Sequence, residues 1–352
     1  MAEQHIDVLA LVPSATLSYL TGLQFHLMER PVVLLVTVPG ETAMILPELE
    51  MPKLQNLAGI ACYAYGDDPQ TWGAAFRAAC QSLDIDGRKI GVEPVSFRFL
   101  EWDFLQQAAP HASFVPADLD TLRIQKDSLE LAAMRRAVKI AQQALLATLP
   151  LVKVGITERE LASELTIQLL RAGSGVFPFD PIVSAGPNSA NPHASPSDRS
   201  LELGDLLLFD WGASFNGYCS DLTRTFVIGK PEPECERIAA VVREANLAAQ
   251  KAVRPGVSAG DVDRAARHVI EHAGYGAYFT HRVGHGLGME AHEPPYLFSE
   301  NKQVLQKGMT FTIEPGIYLM GHYGVRIEDN LVVTEDAAEC LSDLPRELIV
   351  LG

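Results

Sequence analysis

The chain has 352 residues, of which 47% are hydrophobic and 20% are charged, a size and composition typical of a protein with two globular domains. Its 28 Lys and Arg residues against 44 Asp and Glu residues give a net charge of -16. Because nucleic acids and anionic membrane surfaces attract basic proteins, we expect neither of them to be a partner.

Three features of the sequence limit the setting in which the protein works. The longest apolar runs, such as residues 31–39, are far shorter than the roughly 20 residues that span a bilayer, so we expect no membrane helix. The start of the chain lacks the basic and apolar regions of a secretory signal, which favours a cytoplasmic protein. The five cysteines include no C-x-x-C pair, which argues against both a disulfide framework and a thiolate zinc site.

The first part of the sequence alternates short β-rich runs with helical stretches, which predicts an α/β domain over residues 1–120. A polar stretch that begins at Pro116 then leads into a long helical pattern. We therefore expect a domain boundary near residue 120 and a second domain over residues 121–352. The expected strands are 8–12, 32–38, 43–46 and 89–92, and the expected helices are 72–83, 97–109 and 128–149.

The second part contains an internal repeat. Two predicted helix starts, 101 residues apart, have the spacing of a capping box. They are Thr157 with Glu160 and Ser258 with Asp261. Further on, Gly204 and Gly308 each precede an acidic residue by six positions within similar apolar segments. The sequence thus predicts an α+β domain with a pseudo-twofold internal repeat, in which each half contributes a carboxylate from the end of a strand.

Acidic residues flank a hairpin pattern in each half. In the first half, the Asn-Gly pair at 216–217 is the strongest two-residue turn signal, and a turn there places Asp210 diagonal to Asp221 on one face. In the second half, Glu314 and Glu328 share a face if the intervening loop has an odd number of residues, for which the three residues Gly321 to Tyr323 would suffice. Each hairpin therefore brings two carboxylates together.

Four carboxylates in one core would be prohibitively costly to bury without compensation, whereas two divalent cations supply the matching positive charge. We therefore expect a dinuclear metal site. His285 lies between Gly284 and Gly286, which permit close approach of the backbone, and it is the expected fifth ligand. Ligands that are mainly carboxylate oxygens favour hard ions, manganese first, with cobalt or zinc as alternatives.

These residues lie in motifs that resemble the pita-bread metallopeptidase family, which includes Xaa-Pro dipeptidases (prolidases), aminopeptidase P and methionine aminopeptidases. The matching segments span most of residues 125–352 and are LFDWGASFNGYCSDLTRTF, HRVGHGLG, TIEPGIY and GVRIEDN. The resemblance implies a pita-bread fold for the second domain, behind an N-terminal domain of the creatinase/prolidase type. It also implies that two metal ions are held by Asp210, Asp221, His285, Glu314 and Glu328.

The resemblance further implies roles for residues around the metals. Glu314 matches the carboxylate that serves the family both as a ligand and as the acid/base that passes the proton of water to the leaving nitrogen. His193 and His292 match histidines that contact the substrate and stabilise the intermediate. Arg326 lies two residues before Glu328 on the same strand face, where its guanidinium could orient a ligating carboxylate.

One position departs from the family pattern. Tyr296 stands where some dipeptidases of the family have an arginine, a residue suited to binding the free carboxylate of a dipeptide. If the protein binds that carboxylate, another group has to do so. The candidates are Tyr296 itself, Arg282, or a basic residue of the N-terminal domain such as Arg30, and the sequence does not choose among them.

The N-terminal domain favours the proline-directed branch of the family over methionine aminopeptidases, and the compact length favours dipeptidases over the longer aminopeptidase P chains. We therefore expect dinuclear metal-dependent hydrolysis of the peptide bond that precedes proline in Xaa-Pro dipeptides. The alternatives are an aminopeptidase P acting on longer Xaa-Pro peptides and a non-enzymatic, metal-retaining relative that binds peptides. The partner is then a small peptide, and the family resemblance implies a homodimer.

Overall fold

Residues 1–55 and 58–352 are described by a computed structural model, in which the chain divides into two units, Met1–Arg123 and Ile124–Gly352. The described part of the first unit contains one sheet and three α-helices. The strands are β1 (Val8–Leu11), β2 (Val33–Thr37), β3 (Thr42–Pro47), β4 (Ala61–Tyr65), β5 (Lys89–Val92) and β6 (Ser113–Pro116). The helices are α1 (Ala15–Thr21), α2 (Pro69–Ser82) and α3 (Phe99–Ala108).

The sheet of the first unit is mixed and has the strand order β4-β3-β2-β1-β5-β6. β1 is antiparallel to β2 and parallel to β5. Val8 and Val33 belong to one buried hydrophobic cluster, whereas Leu9 and Leu34 belong to another. Because successive strand residues point to opposite faces, both faces of the sheet are covered, which confirms the predicted α/β class.

Three elements of the first unit are absent from the sequence prediction: β4, β6 and α1. β4 and β6 are the two edge strands, and most of their side chains are exposed or half-buried, so their sequences lack a buried pattern. α1 has seven residues and is defined by its ends: Ser14 Oγ accepts a hydrogen bond from the Leu17 N–H, and Gly22 ends the helix at a φ of 71°. The other predicted elements form within a few residues of their expected limits.

The second unit consists of two halves that each begin with a pair of helices. The first half contains α4 (Ser128–Thr148), α5 (Glu158–Ala172), β7 (Ile182–Ala185), β8 (Leu206–Trp211), β9 (Ser214–Phe215), β10 (Tyr218–Cys219) and β11 (Leu222–Ile228). The second half contains α6 (Pro233–Ala252), α7 (Ala259–His272), β12 (Gly284–Gly286), β13 (Glu293–Leu297), β14 (Thr310–Ile313), β15 (Gly316–Leu319), β16 (Tyr323–Arg326) and β17 (Asp329–Val333), followed by β18 (Ala338–Cys340) and β19 (Ile349–Leu351). No helix in the described part of the chain combines the length and the apolar character needed to cross a membrane.

The two halves repeat each other in their helix starts and in their cores. Thr157 and Ser258 each form the predicted capping box with the acidic residue three positions on. α4 and α5 pack on β8 and β11 in one hydrophobic cluster, whereas α6 and α7 pack on β14 and β17 in another. The main sheets have the orders β19-β11-β8-β7 and β13-β12-β14-β17-β18. This arrangement confirms the predicted α+β domain with a pseudo-twofold internal repeat.

Candidate active site

The first pair of acidic residues lies on the hairpin formed by β8 and β11. Phe215 pairs with Tyr218 around the turn at 216–217, as the sequence predicts, and the same register pairs Asp210 with Thr223. Both turn residues have positive φ, 50° and 82°, as a tight hairpin turn of this kind requires. Asp221, two residues before Thr223, is therefore diagonal to Asp210 on one face, which confirms the predicted geometry of this pair.

The second pair lies on a longer hairpin in which β14 continues into β15 and β16 into β17. Ile313 pairs with Asp329 and Gly316 pairs with Arg326, so the intervening Glu314 and Glu328 stand opposite each other at the bend. The hairpin ends in a three-residue loop, which confirms the predicted odd length, but the loop is 320–322 and not 321–323, because Tyr323 pairs with Leu319 as the first residue of β16. A single β-bridge between Thr223 and Glu328 then joins the two hairpins, and the four carboxylates converge.

His285 reaches this cluster from β12, which is wedged between β13 and β14. A Cβ atom on Gly284 would lie 1.9 Å from the Thr312 carbonyl oxygen, and one on Gly286 would lie 2.2 Å from the Pro294 carbonyl oxygen, so both neighbours of His285 have to be glycine. The His285 Nδ1–H donates to the Gly286 carbonyl oxygen at 3.1 Å. The Nε2 lone pair therefore points to the acids, 3.5 Å from Glu314 Oε1 and 3.7 Å from Asp221 Oδ2.

The charges of this cluster are poorly compensated by the protein alone. Burial, followed by the neighbouring carboxylates, raises the pKa of Asp221 and of Glu328 well above the usual range. Burial raises the pKa of Glu314 to about 7, and burial together with the nearby His292 lowers the pKa of His285 to about 3. The imidazole is therefore neutral at physiological pH, while the acids repel one another.

Two buried oxygen atoms of the cluster, Asp210 Oδ1 and Asp221 Oδ1, have no hydrogen-bond partner among the described residues. Orphaned buried oxygens are rare in folded proteins, and the other oxygen of Asp221 lies 3.7 Å from the neutral imidazole nitrogen of His285. Ligand atoms of Asp210, Asp221 and Glu328 lie within 4.8 Å of one another, as do those of His285, Glu314 and Glu328. Such donor sets fit divalent cations, which would neutralise the clustered carboxylates.

Arg326 connects the two hairpins beneath the carboxylates. Its guanidinium donates to Asp210 Oδ2, to Tyr318 Oη at 2.9 Å and to Thr223 Oγ1 at 3.1 Å, and the Thr223 hydroxyl donates to Glu328 Oε2 at 2.6 Å. The carboxylate that Arg326 contacts is thus Asp210 of the other hairpin, whereas Glu328 is reached through Thr223. Sequence reasoning missed Thr223 and Tyr318, although both follow from alternation along a strand: Thr223 lies two residues after Asp221, and Tyr318 lies four residues after the ligand candidate Glu314.

Tyr318 extends this network to His281, a residue that the sequence leaves ambiguous. The His281 Nδ1–H donates to the Arg282 carbonyl oxygen at 2.7 Å, so its Nε2 accepts from the Tyr318 hydroxyl at 2.9 Å. Burial and the charge of Arg326 lower the pKa of His281 to about 4, which keeps the ring neutral in this role. Asn330, also missed, fixes Asp221 by accepting a hydrogen bond from its N–H at 3.0 Å. These contacts hold the acidic residues in fixed positions.

All eight predicted site residues line one cavity of about 770 Å³. They are Asp210, Asp221, His285, Glu314, Glu328, His193, His292 and Arg326. The His292 ring centroid lies 3.9 Å from that of His285. The remaining wall is mixed: it has apolar side chains, among them Phe179, Ile182 and two prolines, and polar ones, which are Asp180, His281, Arg282 and Glu290. The cavity therefore combines an acidic end that fits divalent cations with a partly apolar wall, as sites for small organic ligands do.

His193 reaches the cavity from a loop that is held by a buried carboxylate. Glu158, at the start of α5, is fully buried and accepts hydrogen bonds from the Ala185 N–H at 2.7 Å, the Asn188 amide at 3.0 Å and the Ser197 N–H at 2.9 Å. These donors lie on both sides of His193 in the chain. Glu158 thus fixes both ends of the loop. Sequence reasoning missed this role, because the only local signal is the position of the acid at a helix start.

Comparison with known proteins agrees with this geometry. Residues 132–335 match the model of Metallopeptidase family M24, and residues 1–125 match that of the Creatinase/Prolidase N-terminal domain. A solved dipeptidase from Pyrococcus horikoshii OT3 is 38% identical, with a TM-score of 0.93, over 99% of this chain and 97% of that one. A solved prolidase from Thermococcus sibiricus is 34% identical, with a TM-score of 0.94, over 99% and 96% of the two chains.

A further relative, the Xaa-Pro dipeptidase of Lactobacillus helveticus, is 33% identical over 356 residues, which cover 100% of this chain and 96% of that protein. Similarity of this extent includes every segment that contributes to the cavity. With the match of residues 132–335, it establishes the family, which is a family of metallopeptidases. The chain therefore belongs to metallopeptidase family M24 and carries a Creatinase/Prolidase N-terminal domain ahead of the M24 region.

Proposed function

We propose that this enzyme hydrolyses the peptide bond that precedes proline in Xaa-Pro dipeptides. The observation that carries the proposal is the cavity itself, where four carboxylates and a neutral imidazole face a partly apolar wall in a space large enough for a small peptide. The dipeptidase, prolidase and Xaa-Pro dipeptidase among the relatives, each similar over nearly the whole chain, support the same substrate class.

We assign Asp210, Asp221, His285, Glu314 and Glu328 as the ligands of two divalent cations, with manganese as the preferred ion. Four of the five ligands offer carboxylate oxygens, which suit hard ions, and a single imidazole does not change that preference. The two orphaned oxygen atoms and the raised pKa values of the acids support the assignment, because cations would remove both features. When bound, the ions supply a water nucleophile of lowered pKa and polarise the scissile carbonyl.

The protein groups around the ligands have the positions needed for proton transfer. Glu314 lines the cavity beside the other proposed ligands, where it would take a proton from the attacking water and deliver it to the leaving nitrogen. That delivery is essential because the nitrogen of proline leaves as a secondary amine and cannot depart as an anion. His292 and His193 line the same cavity and provide donors for the oxygen that develops negative charge.

Arg326 serves as a positioning residue in this proposal. Each of its three guanidinium nitrogens donates to a protein oxygen, on Asp210, Tyr318 and Thr223, so its charge already serves contacts within the protein. It holds Asp210 from one hairpin against Glu328 of the other through Thr223. The geometry of the proposed ligands thus depends on a buried cation that does not itself react.

The proposal is tested with manganese-loaded protein and three substrates: Ala-Pro, Ala-Pro-Ala and Ala-Ala. A dipeptidase specific for proline cleaves Ala-Pro well, and cleaves the other two poorly. Comparable cleavage of Ala-Pro and Ala-Pro-Ala would replace the proposal with an aminopeptidase P activity. Binding of Ala-Pro without any hydrolysis would instead favour a non-enzymatic peptide-binding protein.

We further propose a cytoplasmic homodimer whose catalytic domain comprises residues 121–352, behind an N-terminal domain of residues 1–120. The five cysteines are all free, which suits a reducing compartment. Dimerisation is supported by the similarity to the family, and the exposed apolar side chains of Val95 and Phe99 offer surface for an interface. Light scattering at micromolar concentration should give twice the chain mass of 38.3 kDa, and a value near that of one chain would exclude the dimer.

A further inference from the structure

Two arginines line the cavity, and they differ in whether the guanidinium has hydrogen-bond partners within the protein. Arg326 is buried, and each of its three guanidinium nitrogens donates to a protein oxygen. Arg282, in contrast, is half-buried, and its guanidinium has no hydrogen bond and no ion pair with any residue in 1–55 or 58–352. A cation that lines a cavity without an internal partner is available to an anionic ligand.

Arg282 is nevertheless held in place. Its guanidinium carbon lies 4.3 Å from the centre of the Tyr296 ring, a stacked cation–π contact. Tyr296 pairs directly with His285 across β12 and β13. The ring that contacts Arg282 therefore belongs to the same pair of strands that carries His285, the proposed imidazole ligand. Tyr296 is not part of the cavity wall, whereas Arg282 is. The ring therefore supports the guanidinium from behind.

The unpaired cation also lies close to the reacting groups. Burial and then the charge of Arg282 lower the pKa of His292, which lies on the same cavity wall. In a dipeptide the scissile carbonyl and the terminal carboxylate are only one residue apart, so a cation in the same cavity is in the right neighbourhood to bind that carboxylate. In a longer peptide the corresponding position holds a neutral amide, and the carboxylate lies further away.

We propose that Arg282, held on the face of Tyr296, binds the terminal carboxylate of the substrate and thereby selects dipeptides over longer peptides. This inference rests on the proposed Xaa-Pro dipeptidase activity and identifies the group that sets its length selectivity. Arg30, the alternative from the first unit, is paired with Asp67 at 2.5 Å within that unit. The phenol of Tyr296 has no charge to offer, and its ring is occupied by Arg282.

The test compares hydrolysis of Ala-Pro with that of its C-terminal amide, which carries no negative charge. In R282Q, which keeps much of the side-chain volume, kcat/KM for Ala-Pro should fall by about 10- to 100-fold, mainly through KM, because a charge-assisted hydrogen bond is lost. Hydrolysis of the amide should fall far less, so that the preference for the free acid disappears. R282K, which keeps the charge, should retain part of the preference.

Two further sets of variants separate binding from folding. R171Q removes an exposed arginine from the last turn of α5 and should leave the preference unchanged, which makes it the matched control. Y296F keeps the ring and should keep the preference, whereas Y296L removes the ring and should reduce the preference by about 3- to 10-fold. The Tyr296 variants test the same contact if R282Q does not fold, and the thermal midpoint of every variant is measured alongside.

The outcomes of this experiment distinguish the inference from the function on which it rests. Loss of the acid preference in R282Q and in Y296L, with R171Q unchanged, would support the role of Arg282. A wild-type protein that prefers the acid while R282Q retains the preference would overturn the role of Arg282 and leave the dipeptidase activity standing. A wild-type protein that cleaves the acid and the amide equally well has no carboxylate filter, which overturns the inference. Failure to cleave either substrate would reject both.

Discussion

Replacing Asp221 with Asn should stabilise the metal-free protein, although it removes a residue of the proposed metal site. Burial and three neighbouring carboxylates disfavour the charged form of Asp221, and its Oδ1 atom has no hydrogen-bond partner among the described residues. Asparagine has nearly the same shape, carries no charge, and adds an amide that can donate to the adjacent acids. The substitution therefore removes a source of repulsion without creating a cavity.

The size of this effect can be bounded. In the unfolded chain an aspartate has a pKa of about 3.9, so keeping one protonated in the folded state at pH 7 costs at most about 4 kcal/mol. Because Asp221 shares the repulsion with Glu328, Asp210 and Glu314, we expect the free energy of unfolding to rise by about 1 to 4 kcal/mol. For a unit of this size, each kcal/mol corresponds to about 2 to 4 °C in the melting temperature.

The pH dependence fixes the sign of the expected effect. A carboxyl group whose pKa is raised in the folded state imposes no penalty at pH values below its unfolded pKa, and the penalty grows as the pH rises toward the folded pKa. The metal-free wild type should therefore lose stability between about pH 4 and pH 7. D221N should flatten this decline, so that its advantage is small at low pH and large at neutral pH.

The assay is thermal unfolding of exhaustively chelated protein at several pH values. Asp329 provides the matched control, because it is also buried but accepts from Arg224 at 2.7 Å and Arg346 at 2.6 Å. Burial raises the pKa of Asp329, but the two arginines outweigh it and leave the pKa below the usual value. D329N should therefore destabilise the protein by about 3 kcal/mol, since it leaves Arg224 buried without its partner.

The two substitutions should thus act in opposite directions at neutral pH. Adding manganese should then raise the melting temperature of the wild type more than that of D221N, because only the wild type keeps the complete set of proposed ligands. If D221N lowers the stability of the chelated protein at pH 7, or changes it equally at pH 4 and pH 7, the carboxylates do not repel one another as the structure indicates and the reasoning fails.

Three further outcomes are expected. Chelation should abolish hydrolysis of Ala-Pro and manganese should restore it, so full activity in a sample verified to be metal-free would rule out the proposed mechanism. R326K should lower kcat by roughly 10- to 100-fold, because a single ammonium group cannot contact Asp210, Tyr318 and Thr223 together, and steady-state kinetics with an unchanged kcat would contradict its positioning role. E158A should raise KM by about 10-fold or more while kcat changes less, since the loop that carries His193 loses the hydrogen bonds that Glu158 accepts. An unchanged KM would show that other contacts hold the loop.

The sequence predicts the pairing of acidic residues because that pairing depends on local rules. The turn at 216–217 and the odd-length loop of the other hairpin set which residues pair across the strands. Since side chains alternate between the two faces along each strand, the pairing then determines which side chains share a face. The same rules place Asp210 with Asp221, and Glu314 with Glu328. They would also have identified Thr223 and Tyr318, had the alternation been followed two residues beyond Asp221 and four residues beyond Glu314.

Other features of the site depend on contacts between distant parts of the chain. The partner of Arg326 is Asp210, 116 residues earlier, and no local pattern indicates which of the four carboxylates a buried guanidinium will reach. The hydrogen bond between the Asp221 N–H and Asn330 likewise joins residues 109 positions apart. Edge strands β4 and β6 are missed for a different reason. Strands are recognised in a sequence by their hydrophobic pattern, and the largely exposed side chains of these two strands show little of it.

The division of the acidic residues between the two hairpins makes any ion bound there a cross-link. Asp210 and Asp221 come from the first half of the second unit, whereas His285, Glu314 and Glu328 come from the second half, so neither half retains the full set if the other unfolds. Metal binding would therefore stabilise the association of the two halves. At a free-ion concentration of about 100 times the Kd, each site adds about 2.7 kcal/mol to the free energy of unfolding. The supply of metal in the cell would therefore set the lifetime of the folded enzyme as well as its activity.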